Sequence, residues 1–225
     1  NQTSANRELN EGIKNIENKL TSIIEMLSTE NINIDYQYSF GDNYIELKLF
    51  IERNNPKLFL LGKKNKSKFK TNKISNLLLG KFNETLLFIS QEEELDDHLN
   101  LCFSSQKGDF NSQDIHTITA LFKWIKGSTL FVNIRKQLTN ENDIKLSSLP
   151  KAIEGIENNF LLYNIQSDSY LNCLNDFIIE KNINVLCIGK EKKKNGLLNS
   201  FITSKNVTLD LIEKINIPVL VMRKN

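Results

Sequence analysis

Two Gly-Lys dipeptides, Gly62-Lys63 and Gly189-Lys190, each close a continuous apolar run and open a lysine-rich loop. The first loop carries Lys63, Lys64, Lys66, Lys68 and Lys70, the second Lys190, Lys192, Lys193 and Lys194. If the apolar runs are strands of an open α/β sheet, these loops emerge at carboxyl ends, where ligands of such sheets bind. Lysine charge there attracts a phosphorylated ligand or an acidic partner. The plainer alternative is a pair of solvated loops that keep the protein in solution.

Other chemistries find little support. No Ser-His-Asp, Cys-His, paired-carboxylate or Walker-type arrangement can be assembled, so no catalytic residue is expected. Asp35, Asp42, Asp168 and Asp176 read as turn and helix-surface residues, and Trp124 as packing. His98 and His116 have no cysteine or second histidine at metal-ligand spacing, so no metal is expected. Cys102, Cys173 and Cys187 sit among apolar residues without a Cys-x-x-Cys, as reduced, packed thiols of a cytoplasmic protein do. A net charge of +2 argues for neither nucleic acid nor a membrane surface as partner, and no apolar run approaches a membrane span.

The elements that must position the loops repeat. Phe50-Ile51-Glu52-Arg53-Asn54-Asn55 followed by Leu58 to Lys63 matches Phe177-Ile178-Ile179-Glu180-Lys181-Asn182 followed by Val185 to Lys190, at a constant offset of 127 residues. So long a period means two copies of one α/β unit, not a solenoid. In the first half, Leu9, Ile13, Ile16, Leu20, Ile23 and Leu27 give a helical stripe, and Ile32 to Phe40 alternates like a strand. Tyr44 to Ile51 is a helix stopped by Asn54-Asn55-Pro56, Leu58 to Leu61 a strand, Ile74 to Leu79 a helix and Leu86 to Ile89 a strand. The acidic stretch Gln91 to Asp97 reads as a linker. In the second half, strands are expected at 99–103, 130–134, 161–165, 185–188 and 218–222. Helices are expected around 115–125, 153–160, 171–178 and 206–215. Strands alternating with helices imply right-handed βαβ crossovers and a parallel sheet.

The ending Lys214-Ile215-Asn216-Ile217-Pro218-Val219-Leu220-Val221-Met222-Arg223, with the strand Val185 to Lys190 that meets glycine, resembles the universal stress protein family. The resemblance implies two tandem Rossmann-like, adenine nucleotide alpha hydrolase-like domains, 1–96 and 97–225. Each would have a parallel five-stranded sheet of order 3-2-1-4-5. Aligned on the repeat, the first half lacks its first strand, first helix and second strand, so its sheet is expected to be incomplete. The native polypeptide is then expected to extend roughly 40–50 residues upstream, on the order of one βαβ unit. A partner chain or a rearranged sheet are the alternatives.

Many members of that family bind ATP through Gly, two residues, Gly, nine residues, then Gly-Ser or Gly-Thr. Glycine lets the backbone approach phosphates, and the following helix N-terminus adds donors. Here Gly189 fits the first position, but Lys192 stands at the second glycine and Lys205-Asn206 replaces Gly-Ser, in a loop about three residues too long. In the first half Gly62 fits, Asn65 stands second and Asn72-Lys73 replaces Gly-Ser. The Asp that nucleotide-binding members place at the end of the first strand is replaced by Phe103-Ser104-Ser105. No cofactor is therefore expected. The reading is a non-enzymatic stress-response protein acting through protein interaction or an unidentified small ligand. The alternative is a weak ATPase using Gly62, Ser104, Gly189, Lys190, Lys192 and Asn206. The resemblance also implies that the fifth strands, Leu86-Ile89 and Val219-Met222, pair across a local two-fold within the chain as a pseudo-dimer, with a homodimer as a further possibility.

Overall fold

The computed structural model describes residues 2–29, 32–63, 73–82, 84–89, 98–105, 126–136, 160–189 and 207–222. The chain divides into two compact units, 1–53 and 54–225. The helices expected around 115–125 and 153–160 and the acidic linker fall outside the described residues, apart from Phe160.

Residues 1–53 hold two helices, α1 (Gln2–Ser28) and most of α2 (Asn43–Asn54). The α1 stripe is poorly covered: Ile16, Ile23 and Met26 are exposed. The strand expected at Ile32 to Phe40 does not form; the stretch carries no ladder. Alternation is a statement about faces. A strand exists only when a neighbour takes up its N–H and C=O groups, and none does so among the described residues. Local contacts hold the stretch instead: Tyr38 Oη donates to Glu17 Oε1 at 3.0 Å, and Tyr38 and Phe40 meet edge to face. Asp42 then caps α2, its Oδ1 accepting from the N–H groups of Tyr44 and Ile45.

Residues 54–225 form one sheet. Its strands are β1 (Leu58–Gly62), β2 (Thr85–Ile89), β3 (Leu101–Ser105), β4 (Thr129–Arg135), β5 (Phe160–Gln166), β6 (Val185–Gly189) and β7 (Val219–Met222). Among the described residues their order is β1-β2-β7-β6-β3-β4-β5. Counted within the second half alone, the strands run third, second, first, fourth, fifth from the β5 edge. Every neighbouring pair is parallel except β2 and β7, which are antiparallel with Leu86 opposite Val221, Leu87 opposite Leu220 and Phe88 opposite Val219. That register is self-complementary. Leu60 pairs with Leu87 in one half as Cys187 pairs with Leu220 in the other, so Leu87 and Leu220 hold equivalent places and face each other.

One face of the sheet carries a core of Leu101, Phe103, Phe131, Val185, Cys187 and Leu220, with Phe103 and Phe131 stacked at 4.9 Å. Each such side chain contributes about 1.5–3 kcal/mol on burial. The other face receives α4 (Tyr170–Glu180), which buries Leu174, Phe177 and Ile178 and sets Phe177 edge-on to Tyr163 at 5.0 Å. α3 (Lys73–Lys81) and α5 (Val207–Lys214) follow β1 and β6. The repeat reaches the backbone. Asn55 after α2 and Asn182 after α4, also 127 residues apart, both turn left-handed at φ 43° and 49°, the conformation that ends a helix and that Asn tolerates.

β3 starts two residues later than the apolar pattern suggests because Asn100 is spent on the sheet's amino-terminal edge. Its Oδ1 accepts from Ser128 N, its amide donates to the carbonyls of Lys181 and Asn182, and its own N–H donates to Asn184 Oδ1. The backbones are tight here. A Cβ on Gly127 would stand 1.9 Å from the Leu99 carbonyl oxygen, so only glycine fits.

Candidate functional site

Because β2 and β7 run antiparallel, the carboxyl ends of β1 and β2 lie at one edge of the sheet and those of β3 to β7 at the opposite edge. Gly62 and Gly189 therefore end their strands on opposite sides. Gly62 ends β1 beside Ile89, and Gly189 ends β6 beside Met222. Neither glycine has a left-handed φ, and a Cβ on either would meet nothing within 4 Å. Among the described residues nothing packs against either position. Lys190, Lys192 and Asn206 fall outside the described residues.

Ser104 lies one rung short of Gly189, opposite Ile188 on β6. This is the topological switch point, since the chain leaves β3 towards β4 on one side and reaches β6 on the other. Ser104 is only 3% exposed, and its hydroxyl is 2.8 Å from Tyr170 Oη at the start of α4. Ser169 positions that helix start by accepting from Asn172 N. The crevice residue is thus a neutral hydroxyl already engaged by the chain.

Lys63 corrects the reading of the first loop as a set of solvated or ligand-seeking lysines. It is buried, and its Nζ donates to the carbonyl oxygens of Ile215 at 3.0 Å and Ile217 at 2.5 Å. These carbonyls follow the last turn of α5, which leaves acceptors unpaired. The ammonium serves as a C-terminal cap across the two halves, and its N–H also joins the ladder by donating to Ile89 O. Lys64, Lys66, Lys68 and Lys70 lie outside the described residues.

The sequence reading missed a polar group at the carboxyl ends of β4 and β5. Asn133 is fully buried and donates from Nδ2 to Asn164 Oδ1 at 3.2 Å, while Arg135 Nε donates to Asn133 Oδ1 at 2.9 Å. The one available signal was an amide inside the apolar run Leu130 to Ile134. A buried amide is tolerated only when it is hydrogen-bonded.

The thiols show the same division between packed and open. Burial pushes those of Cys102 and Cys187 well above the ordinary value of 9.0. Cys173 is half-buried, and its thiol is raised first by burial. It lines a groove of about 350 Å³ between α4 and the end of β5, with Ser167, Asn172 and Asp176. All three cysteines are free, and no group of His, Cys, Asp and Glu among the described residues could hold a metal ion. No described helix is long and apolar enough to cross a membrane.

Compared with solved structures, the chain superposes on a universal stress protein from Archaeoglobus fulgidus with a TM-score of 0.71 and 15% identity, over 96% of this chain and 79% of that one. The fold is that of a universal stress protein. A protein of unknown function from Pseudomonas aeruginosa PAO1 matches at a TM-score of 0.58 and 11% identity, over 92% of this chain and 77% of that one. No protein-family profile matches the chain, and no curated protein does. In that fold Ser104 stands at the end of β3, the strand at the centre of the second half's order.

Proposed function

We propose that the chain is a non-enzymatic stress-response protein that works through protein interaction or through a small ligand other than ATP. The observation that carries this reading is the Ser104–Tyr170 pair. At the switch point an adenine nucleotide would need a free polar anchor, and here Ser104 is neutral, buried and hydrogen-bonded to α4. The halves are read as a tandem duplication, joined as a pseudo-dimer through β2 and β7, and the self-complementary register supports that reading.

Two measurements test it. Incubation with ATP and Mg²⁺ is expected to give no hydrolysis above buffer. In thermal-shift titrations, ATP and AMP are expected to raise the midpoint no further than equimolar inorganic phosphate does. A ligand at about 100 times its dissociation constant stabilises by roughly 2.7 kcal/mol, so recognition of the adenine would be plain. An ATP-specific shift, or turnover that survives repurification, would instead favour a nucleotide-binding member with a non-standard loop at Gly189.

A further inference from the structure

The last rungs of the sheet at the β4–β5 end are polar. Asn133 stands opposite Ser105 on β3 and Asn164 on β5, and Arg135 stands opposite Gln166. Side chains alternate along a strand, so Phe131, Asn133 and Arg135 share a face, and the stacked aromatic core gives way to amide and then guanidinium towards the edge. Asn133 has no exposure at all, yet its carboxamide is committed to two neighbours of its own row, Asn164 on one side and Arg135 on the other.

The arrangement fixes Arg135 at its inner end. The guanidinium carries five N–H donors in a rigid fork. Nε–H is taken by Asn133, which leaves the four terminal N–H groups of the two Nη nitrogens without a hydrogen bond to any described residue. Arg135 is itself partly buried, and its carbonyl accepts from Ser167 N, so the backbone beneath it is held as well. An arginine anchored through Nε and open at its Nη groups presents the geometry that receives two oxygens of one anion. It does so at the carboxyl end of parallel strands, two strands and hence roughly 10 Å from the end of β6.

We propose that Arg135, oriented by Asn133, binds a small oxyanion, the phosphate or carboxylate group of a soluble ligand. Arg135 makes the contact and Asn133 is the positioning residue. This rests on the small-ligand branch of the function proposed above and names the chemistry of that ligand.

The test uses the full chain and two probes, inorganic phosphate and succinate, by calorimetry at 50 mM NaCl. Saturable one-site binding of at least one probe is expected, and the stronger probe tells phosphate from carboxylate. Arg135→Gln is expected to weaken it at least tenfold and Asn133→Ser five- to tenfold, with circular dichroism confirming that each variant folds. An independent readout needs no variant. The Arg135 Nε–H resonance of ¹⁵N-labelled protein should be slow to exchange because of its bond to Asn133, and should move as the anion is added. Binding of neither probe, equal affinity in Arg135→Gln, or an unmoved Nε–H resonance each overturns the proposal. None of these results bears on ATP turnover, so this site and the non-enzymatic reading fail separately.

Discussion

β1 and β6 match in sequence at an offset of 127 residues, yet their surroundings are opposite. Leu58-Phe59-Leu60-Leu61-Gly62 and Val185-Leu186-Cys187-Ile188-Gly189 share length, apolar character and a terminal glycine. β6 lies between β3 and β7 and is buried from Val185 to Ile188; β1 is an edge strand with β2 as its one neighbour among the described residues. Leu60 is 65% exposed and its counterpart Cys187 is 0% exposed. The helices before them differ in the same sense, since α4 buries three apolar side chains and α2 buries none. An apolar pattern therefore states what a segment is able to bury, and the neighbour decides what it does bury.

The largest expected effect is at that matched pair. Cys187→Asp places a carboxylate in the dry centre of the sheet and should cost about 4 kcal/mol or more, while Leu60→Asp should stay within about 0.5 kcal/mol. Urea denaturation of both variants measures the contrast, and equal losses would mean that β1 is as covered as β6. The helices extend the comparison. Phe177→Ala is expected to lose roughly 3–4 kcal/mol and its counterpart Phe50→Ala roughly 1 kcal/mol, because only Phe177 is buried. A Phe50 variant that is the more damaging of the two would reverse the assignment of the better-packed half.

Lys63→Met asks whether the halves depend on each other. It strips the carbonyls of Ile215 and Ile217 of their donor and should lower stability by about 2 kcal/mol. Melting followed at Trp124 and by circular dichroism should stay a single transition in the parent. A variant as stable as the parent would show that the ammonium bonds contribute nothing net.

The smallest effect is in alkali. Cys102 and Cys187 have folded values raised by burial above the ordinary 9.0. Their contribution is fully present below pH 9 and declines above it, because the unfolded thiols lose protons that the folded ones retain. The decline is about 1.4 kcal/mol per pH unit per thiol. Cys187→Ala should flatten the stability curve between pH 9 and 10.5. In the same range, Leu60→Cys, open to solvent, should be alkylated in the native protein while Cys187 waits for unfolding. An unchanged slope would remove the buried thiol as its cause.

Much of the sheet was legible in the sequence. Apolar runs at 58–61, 86–89 and 185–188, and the runs at 130–134 and 161–165 that each hold one Asn, have the length and character of strands, and the constant offset from Phe50 to Phe177 tied the halves together. What escaped were contacts over long separations. Ile32 to Phe40 has the alternation of a strand, but alternation says nothing about whether a neighbour arrives. Lys63, first in a run of lysines, looked solvated because its acceptors are backbone carbonyls 152 and 154 residues away. Of the candidate site, Gly189 and Ser104 do converge on adjacent strands, whereas Gly62 belongs to the far edge. Ser104's partner, Tyr170, could not be guessed, because the start of α4 reaches it only once β5 and β6 are in place.

The antiparallel seam between β2 and β7 has a directional consequence. It turns one half end over end, so the carboxyl end of β1 and the carboxyl end of β6 point away from each other along the strand axis. A rigid body resting on one of them leaves the other uncovered. Two separate bodies could be held at once on opposite sides, with the sheet as the spacer between them.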